Sequence, residues 1–104
     1  MGVGIAVVQN LFEPLSDTAR YVLRDATIWA LGRQDKTMLV SGIASWTDTV
    51  FNSEQVPRLV QELRAIGQQQ SLDDRARTEL EGAAEFIERE SAAKSQYFVV
   101  FFGS

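Results

Sequence analysis

Apolar and polar positions along the chain divide it into short strands and amphipathic helices. Val3 to Val8 is an unbroken apolar run closed by Asn10, and it predicts a buried strand. Pro14 falls in the loop that follows, and Ser16 or Asp17 offers a side-chain oxygen to cap a helix. Ala19, Val22, Leu23, Ala26 and Trp29 then recur at helical spacing, with Gly32 able to end the element. The same stretch admits a second reading. Thr27 to Leu31 is rich in strand-favouring residues and could pair with the next strand across Gln34-Asp35-Lys36.

Thr37 to Ala44 predicts a second strand, with Gly42 as a bulge or a point of close approach. The polar stretch Ser45 to Thr49 leads on to Val50, Phe51 and Asn52. Val56, Leu59, Val60, Leu63 and Ile66 then repeat at i, i+3, i+4, i+7 and i+10, with Gln61, Glu62 and Arg64 on the other side. Asn52 or Ser53 can cap this helix, Pro57 fits its first turn, and Gly67 closes it. After Gln68-Gln69-Gln70, Ser71 and Asp74 form a capping signature for a longer helix. Its stripe is Leu72, Ala76, Leu80, Ala83 and Ile87, with Phe86 beside it.

Gln96 to Phe102 closes the pattern. Tyr97, Val99 and Phe101 alternate with Phe98, Val100 and Phe102, so both faces are apolar and the strand belongs in the middle of a sheet, covered on both sides. Alternatively, another chain completes one face or edge. The expected fold is α+β, a single domain over residues 1–104, with a three-stranded sheet and the order β-α-β-α-α-β.

Composition narrows the chemistry. The chain has no cysteine and no histidine, which removes disulfides, thiolates, the usual neutral-pH base and the commonest metal ligand. Lys36 and Lys94 are the only lysines; Lys94 follows Ser91 at Ser-x-x-Lys spacing, but the Ser-Asp-Asn and Lys-Thr-Gly segments that complete that catalytic set are absent. Gly2-Val3-Gly4 precedes a strand instead of following one, so it is no dinucleotide loop. Asp73 and Asp74 are neighbours on a helix and diverge by about 100°. The expectation is a protein without catalytic residues, cofactor or metal. The absence of thiols and of a leader or long apolar segment suggests the cytoplasm.

Charge adds a candidate surface. Net charge is −4, and all of it resides in residues 53–91, with nine acidic and five basic side chains. No basic stripe suited to nucleic acid is present, and no membrane segment. Glu81, Glu85 and Glu88 lie along one helical face, with Arg77 and Arg89 placed to pair with Glu81 and Glu85 at i, i+4. The row is either solvated surface, a steering patch for a cationic partner, or a cation-binding row. Trp46, with Asp48 and Asn52, forms a second candidate: a large aromatic in a polar loop either anchors a partner or packs beneath its own turn.

Asp48-Thr49-Val50-Phe51-Asn52, with Gln55 and the Pro57 to Leu63 run, resembles a family of small bacterial proteins. These carry an aromatic-Gly-Asp-Thr-Val-Phe-Asn-x-x-Gln segment between a strand and a helix and end in a short aromatic strand, as Tyr97 to Gly103 does here. Trp46-Thr47 stands where that family has aromatic-Gly. Some members are associated with polymorphic-toxin immunity. The resemblance implies an immunity protein that neutralises a toxin, and the acidic charge suits a toxin with a basic surface. The alternative is a structural or regulatory subunit, a homodimer joined through its sheet.

Overall fold

A computed structural model describes residues 2–12 and 18–103. Seven elements form two layers: β1 (Gly2–Val8), β2 (Tyr21–Arg24), α1 (Asp25–Gly32), β3 (Thr49–Asn52), α2 (Val56–Gly67), α3 (Asp74–Ser91) and β4 (Phe98–Gly103). The fold is α+β, but the sheet has four strands, not three, in the order β2-β1-β4-β3. Every neighbouring pair is antiparallel. The chain order is therefore β-β-α-β-α-α-β.

Two corrections produce the extra strand. The helix expected to run up to Gly32 begins only at Asp25; Tyr21 to Arg24 is extended and pairs with β1, Leu23 opposite Val3. Tyr21 and Val22 favour extended backbone, and Leu23 gains full burial there. Ser16 and Asp17, the expected caps, lie outside the described residues. Thr27 to Leu31 is helical, which settles the alternative left open by its composition.

The strand expected over Thr37 to Ala44 does not form, because its polar groups find local partners that compete with a ladder. Asp35 Oδ1 accepts from the Thr37 amide at 2.9 Å and hydroxyl at 2.8 Å. The Met38 amide returns to Asp35 O, Ser41 Oγ donates to Met38 O, and Leu39 to Gly42 closes into a 3-10 turn. The Val40 amide donates to Glu62 Oε1 at 3.1 Å. Strand structure resumes at Thr49, where Phe51 turns inward and meets the Phe101 ring edge-on at 5.7 Å.

α2 buries Val56, Leu59, Val60, Leu63 and Ile66, as its spacing requires. Glu62 is buried too, not on the outer side, since its carboxylate holds Val40 N–H and the Arg58 guanidinium. α3 is capped by Asp73, which accepts from the Ala76 amide at 2.7 Å, and not by Ser71. α1 and α2 end at Gly32 and Gly67 as expected, but without a left-handed residue: no glycine among the described residues has positive φ.

β4 lies between β1 and β3, the central place its two apolar faces demand. On one face Val3, Ile5, Val7, Leu23, Phe51, Val99 and Phe101 join the helices in the main core. On the other, Ala6, Val8 and Val100 form a small cluster with Phe98 and Phe102 packed on it. The Phe102 ring lies over its ladder partner Gly4, where a Cβ would collide with it.

Both outer strands have part of their free edge occupied. On β2 the Arg24 amide donates to Glu79 Oε1 at 2.8 Å. On β3 the Asn52 amide donates to Gln55 Oε1 at 2.9 Å, while the Gln55 amide returns to Asn52 O at 3.0 Å. Each of these bonds uses backbone that an added strand would need.

Candidate functional site

α1 presents Asp25, Ile28, Trp29, Gly32 and Arg33 along one stripe, the i, i+3, i+4, i+7, i+8 arrangement. Opposite runs the segment from Ser41 to Thr47, which leaves the 3-10 turn on its way to β3. Between these walls lies a groove of about 620 Å³. Its floor is apolar, with Ile28 and Ile43 both buried.

Three contacts fix the second wall. Ser45 Oγ donates to Asp25 Oδ1 at 3.2 Å, tying the loop to the start of α1. Thr49 Oγ1 donates to Gly42 O at 3.4 Å. The end of β4 supports the loop from behind, where Gly103 meets the Ser45 carbonyl closely enough that a Cβ would overlap it. Gly32 and Gly42 face empty space, and a Cβ on either would meet nothing within 4 Å.

The rims are aromatic. Trp46 is 85% exposed and Trp29 is 68% exposed. Trp46 therefore does not pack beneath its own turn. Asp48 sits on the same loop and is exposed. Asn52 is elsewhere, beside a smaller hollow with Gln96 and Tyr97. Its Oδ1 accepts from the Glu54 and Gln55 amides, both at 3.0 Å, and so shapes the turn into α2.

The glutamates lie apart from the groove, and none of them lines it. Glu88 forms a two-point pair with Arg64 of α2, at 2.7 and 3.0 Å, and Glu81 approaches the same guanidinium at 3.6 Å. That hydrogen bonding pulls the Glu88 carboxyl below its ordinary value and raises Arg64 above its own. The expected i, i+4 pairs are not the ones formed. Arg77 turns back to the carbonyls of Gly67, Gln69 and Leu72 and to Asp74, satisfying the α2–α3 turn. Arg89 reaches Glu90 and lies over the Phe86 ring. Among the described residues no group of three or more metal-binding side chains is gathered.

Sequence reasoning missed Trp29, Arg33 and Lys36 as groove residues. Trp29 falls on the helical repeat that also marks core positions, so periodicity alone assigns it inward. It also missed Glu79, which accepts from the Arg24 amide, the Arg24 Nε and Thr27 Oγ1 at once. Nothing in the spacing of Glu79 separates it from the exposed glutamates nearby.

No helix among the described residues is long and apolar enough to cross a membrane. Compared with protein-family models, with curated proteins and with solved structures, the chain finds no match in any of the three.

Proposed function

We propose that this chain is a non-catalytic protein-binding domain, an immunity protein that occupies and neutralises a bacterial toxin. The observation that carries the reading is the pair of exposed tryptophans, Trp29 and Trp46, on opposite walls of one groove. Large aromatics left in water are the usual anchors of a protein interface, because covering them with a partner removes extensive apolar surface. The anchoring of the loop through Asp25, Ser45 and Gly103 supports it further, since a wall held in place before binding loses little freedom on binding. The acidic row on α3 gives a second surface, through which Glu81, Glu85 and Glu88 attract the basic body of the toxin. The resemblance of the Asp48 to Leu63 segment to a family with immunity members points the same way.

Affinity capture from the host with wild-type and Trp46→Ala baits tests this. A protein retained by the first and lost from the second should arrest growth when expressed alone, and co-expression of this chain should restore growth. Absence of any Trp46-dependent partner, or turnover of a substrate abolished by one substitution, would end the proposal.

A second reading, self-association through the sheet, rests on the face turned away from the helices, where Val22 is 58% and Val50 is 43% exposed. It requires the face, because the edges are partly occupied. Light scattering of the isolated chain tests it: this reading demands a dimer without any partner, which the first does not require.

A further inference from the structure

The groove is bipolar. Asp25 stands at one end of the α1 stripe, and Arg33 stands eight residues on, about 12 Å along the axis. Lys36 joins Arg33 in lining the groove. Asp35, the acidic residue beside Lys36 in sequence, is turned to the Thr37 amide and hydroxyl and does not line the groove. Those bonds hold its carboxyl below the ordinary value. Arg33 and Lys36 engage no carboxylate among the described residues. At the other end Asp25 is already engaged by Ser45. A protein with a net charge of −4 thus keeps two cations in a groove that also holds buried Ile28 and Ile43 and two exposed indoles.

We infer that the groove receives an extended segment of a protein partner in which an apolar side chain is followed closely by a carboxylate. This rests on the partner-binding reading above and specifies the chemistry of the segment. The apolar side chain sits over Ile28 and Ile43, flanked by Trp29 and Trp46, and the carboxylate meets Arg33 and Lys36. Ile28 lies five residues before Arg33, about 7.5 Å along the axis, a distance that two to three extended residues span. Charge complementarity selects an acidic segment over a basic one, whatever the charge of the rest of the partner, since the glutamate row lies outside the groove. A small carboxylic acid would leave much of both tryptophan rims uncovered, whereas a polypeptide covers them.

Selection of a displayed library of random dodecapeptides on the full chain tests the inference. Enriched sequences should carry Asp or Glu within a few residues of Leu, Ile, Phe or Trp. Synthetic versions should shift both tryptophan indole signals, the chain having only two. Their affinity should fall about tenfold or more in Arg33→Glu/Lys36→Glu, which should favour the lysine-substituted peptides instead. Gly42→Leu, which fills open space at a residue of ordinary φ, should abolish binding while circular dichroism and urea unfolding stay as in the wild type.

Enrichment of basic or neutral sequences that still depends on Trp46 would overturn the acidic-segment inference and leave the partner-binding reading intact. Absence of any Trp46-dependent enrichment would overturn both. Octanoate binding as tightly as the selected peptides, or a homodimer dissolved by Trp46→Ala, would also overturn it by putting a different occupant in the groove.

Discussion

Gly103, near the end of β4, backs directly onto the carbonyl of Ser45, so the loop bearing Trp46 is braced from the sheet. The contact is backbone against backbone and has no flexible side chain to absorb a larger neighbour. Gly103→Ala should therefore displace the loop, with a stability cost of about 1–3 kcal/mol. Equilibrium urea unfolding measures the cost. Tryptophan fluorescence should change in the same variant, and an unchanged spectrum would show that the brace does not control the groove.

Glu79 links α3 to the junction of β2 and α1 through Arg24 and Thr27. Its side chain is 14% exposed, against 31% for Arg24, so the pair is neither fully buried nor free in water. Glu79→Ala leaves an edge amide and a hydroxyl unsatisfied together and should cost about 2–3 kcal/mol. Thr27→Val, which removes only the hydroxyl, should cost about 1 kcal/mol. Equal losses in the two variants would contradict this account of Glu79.

Gly32 occupies the last turn of α1 with helical backbone and open space where a side chain would go. Gly32→Ala should stabilise the protein by up to about 1 kcal/mol, since alanine is the better helix former. A lower melting temperature would mean the position is sterically closed after all.

The Arg64–Glu88 pair makes stability depend on pH in a defined direction. Glu88 is depressed in the folded protein, chiefly by its hydrogen bonds to Arg64. The unfolded chain therefore takes up this proton first, and the contribution is present above the ordinary glutamate value of about 4.3. It fades as pH falls through the lower folded value. Glu88→Gln should lose stability relative to wild type near neutrality and converge with it in acid. Tyr21 works at the other extreme. Desolvation, aided by Glu79 and Glu85, raises its phenol above 10.0, so its contribution is complete below that value and lost as pH rises through the higher folded one. Parallel denaturation series of Glu88→Gln and Tyr21→Phe across pH check both signs.

Trp46→Ala and Trp29→Ala should change unfolding free energy by no more than about 0.5 kcal/mol, because both side chains stand mostly in solvent. A larger loss in either would assign that tryptophan to the core.

Much of the fold was legible where a periodic signal met no competitor. β1, α2, α3 and β4 follow from their patterns, and the two-faced apolar character of β4 foretells its central place. The illegible part is residues 18–48, where turn and side-chain hydrogen bonds decide. Asp35 draws the Thr37 amide into a turn, Glu62 takes the Val40 amide from 22 residues away, and a stretch composed like a strand coils into a 3-10 turn. The freed pairing position beside β4 passes to Thr49–Asn52, and that beside β1 to Tyr21–Arg24. Of the candidate residues, Trp46 could be singled out from its polar surroundings. Trp29 could not, because its partner wall lies 12 or more residues away and only folding brings the two together.

The bonds from Glu79 and Gln55 to the outer strands have a bearing on proteostasis. Removing Glu79 costs stability as well, whereas removing the Gln55 side chain opens a hydrogen-bonding template at the Asn52 amide on a molecule that can remain well folded. Such a lesion would show first as sediment at high expression level and slow growth of ordered fibres, ahead of any fall in melting temperature. Solubility and thermodynamic robustness are thus joined at Glu79 and separable at Gln55, where selection can act on the one alone.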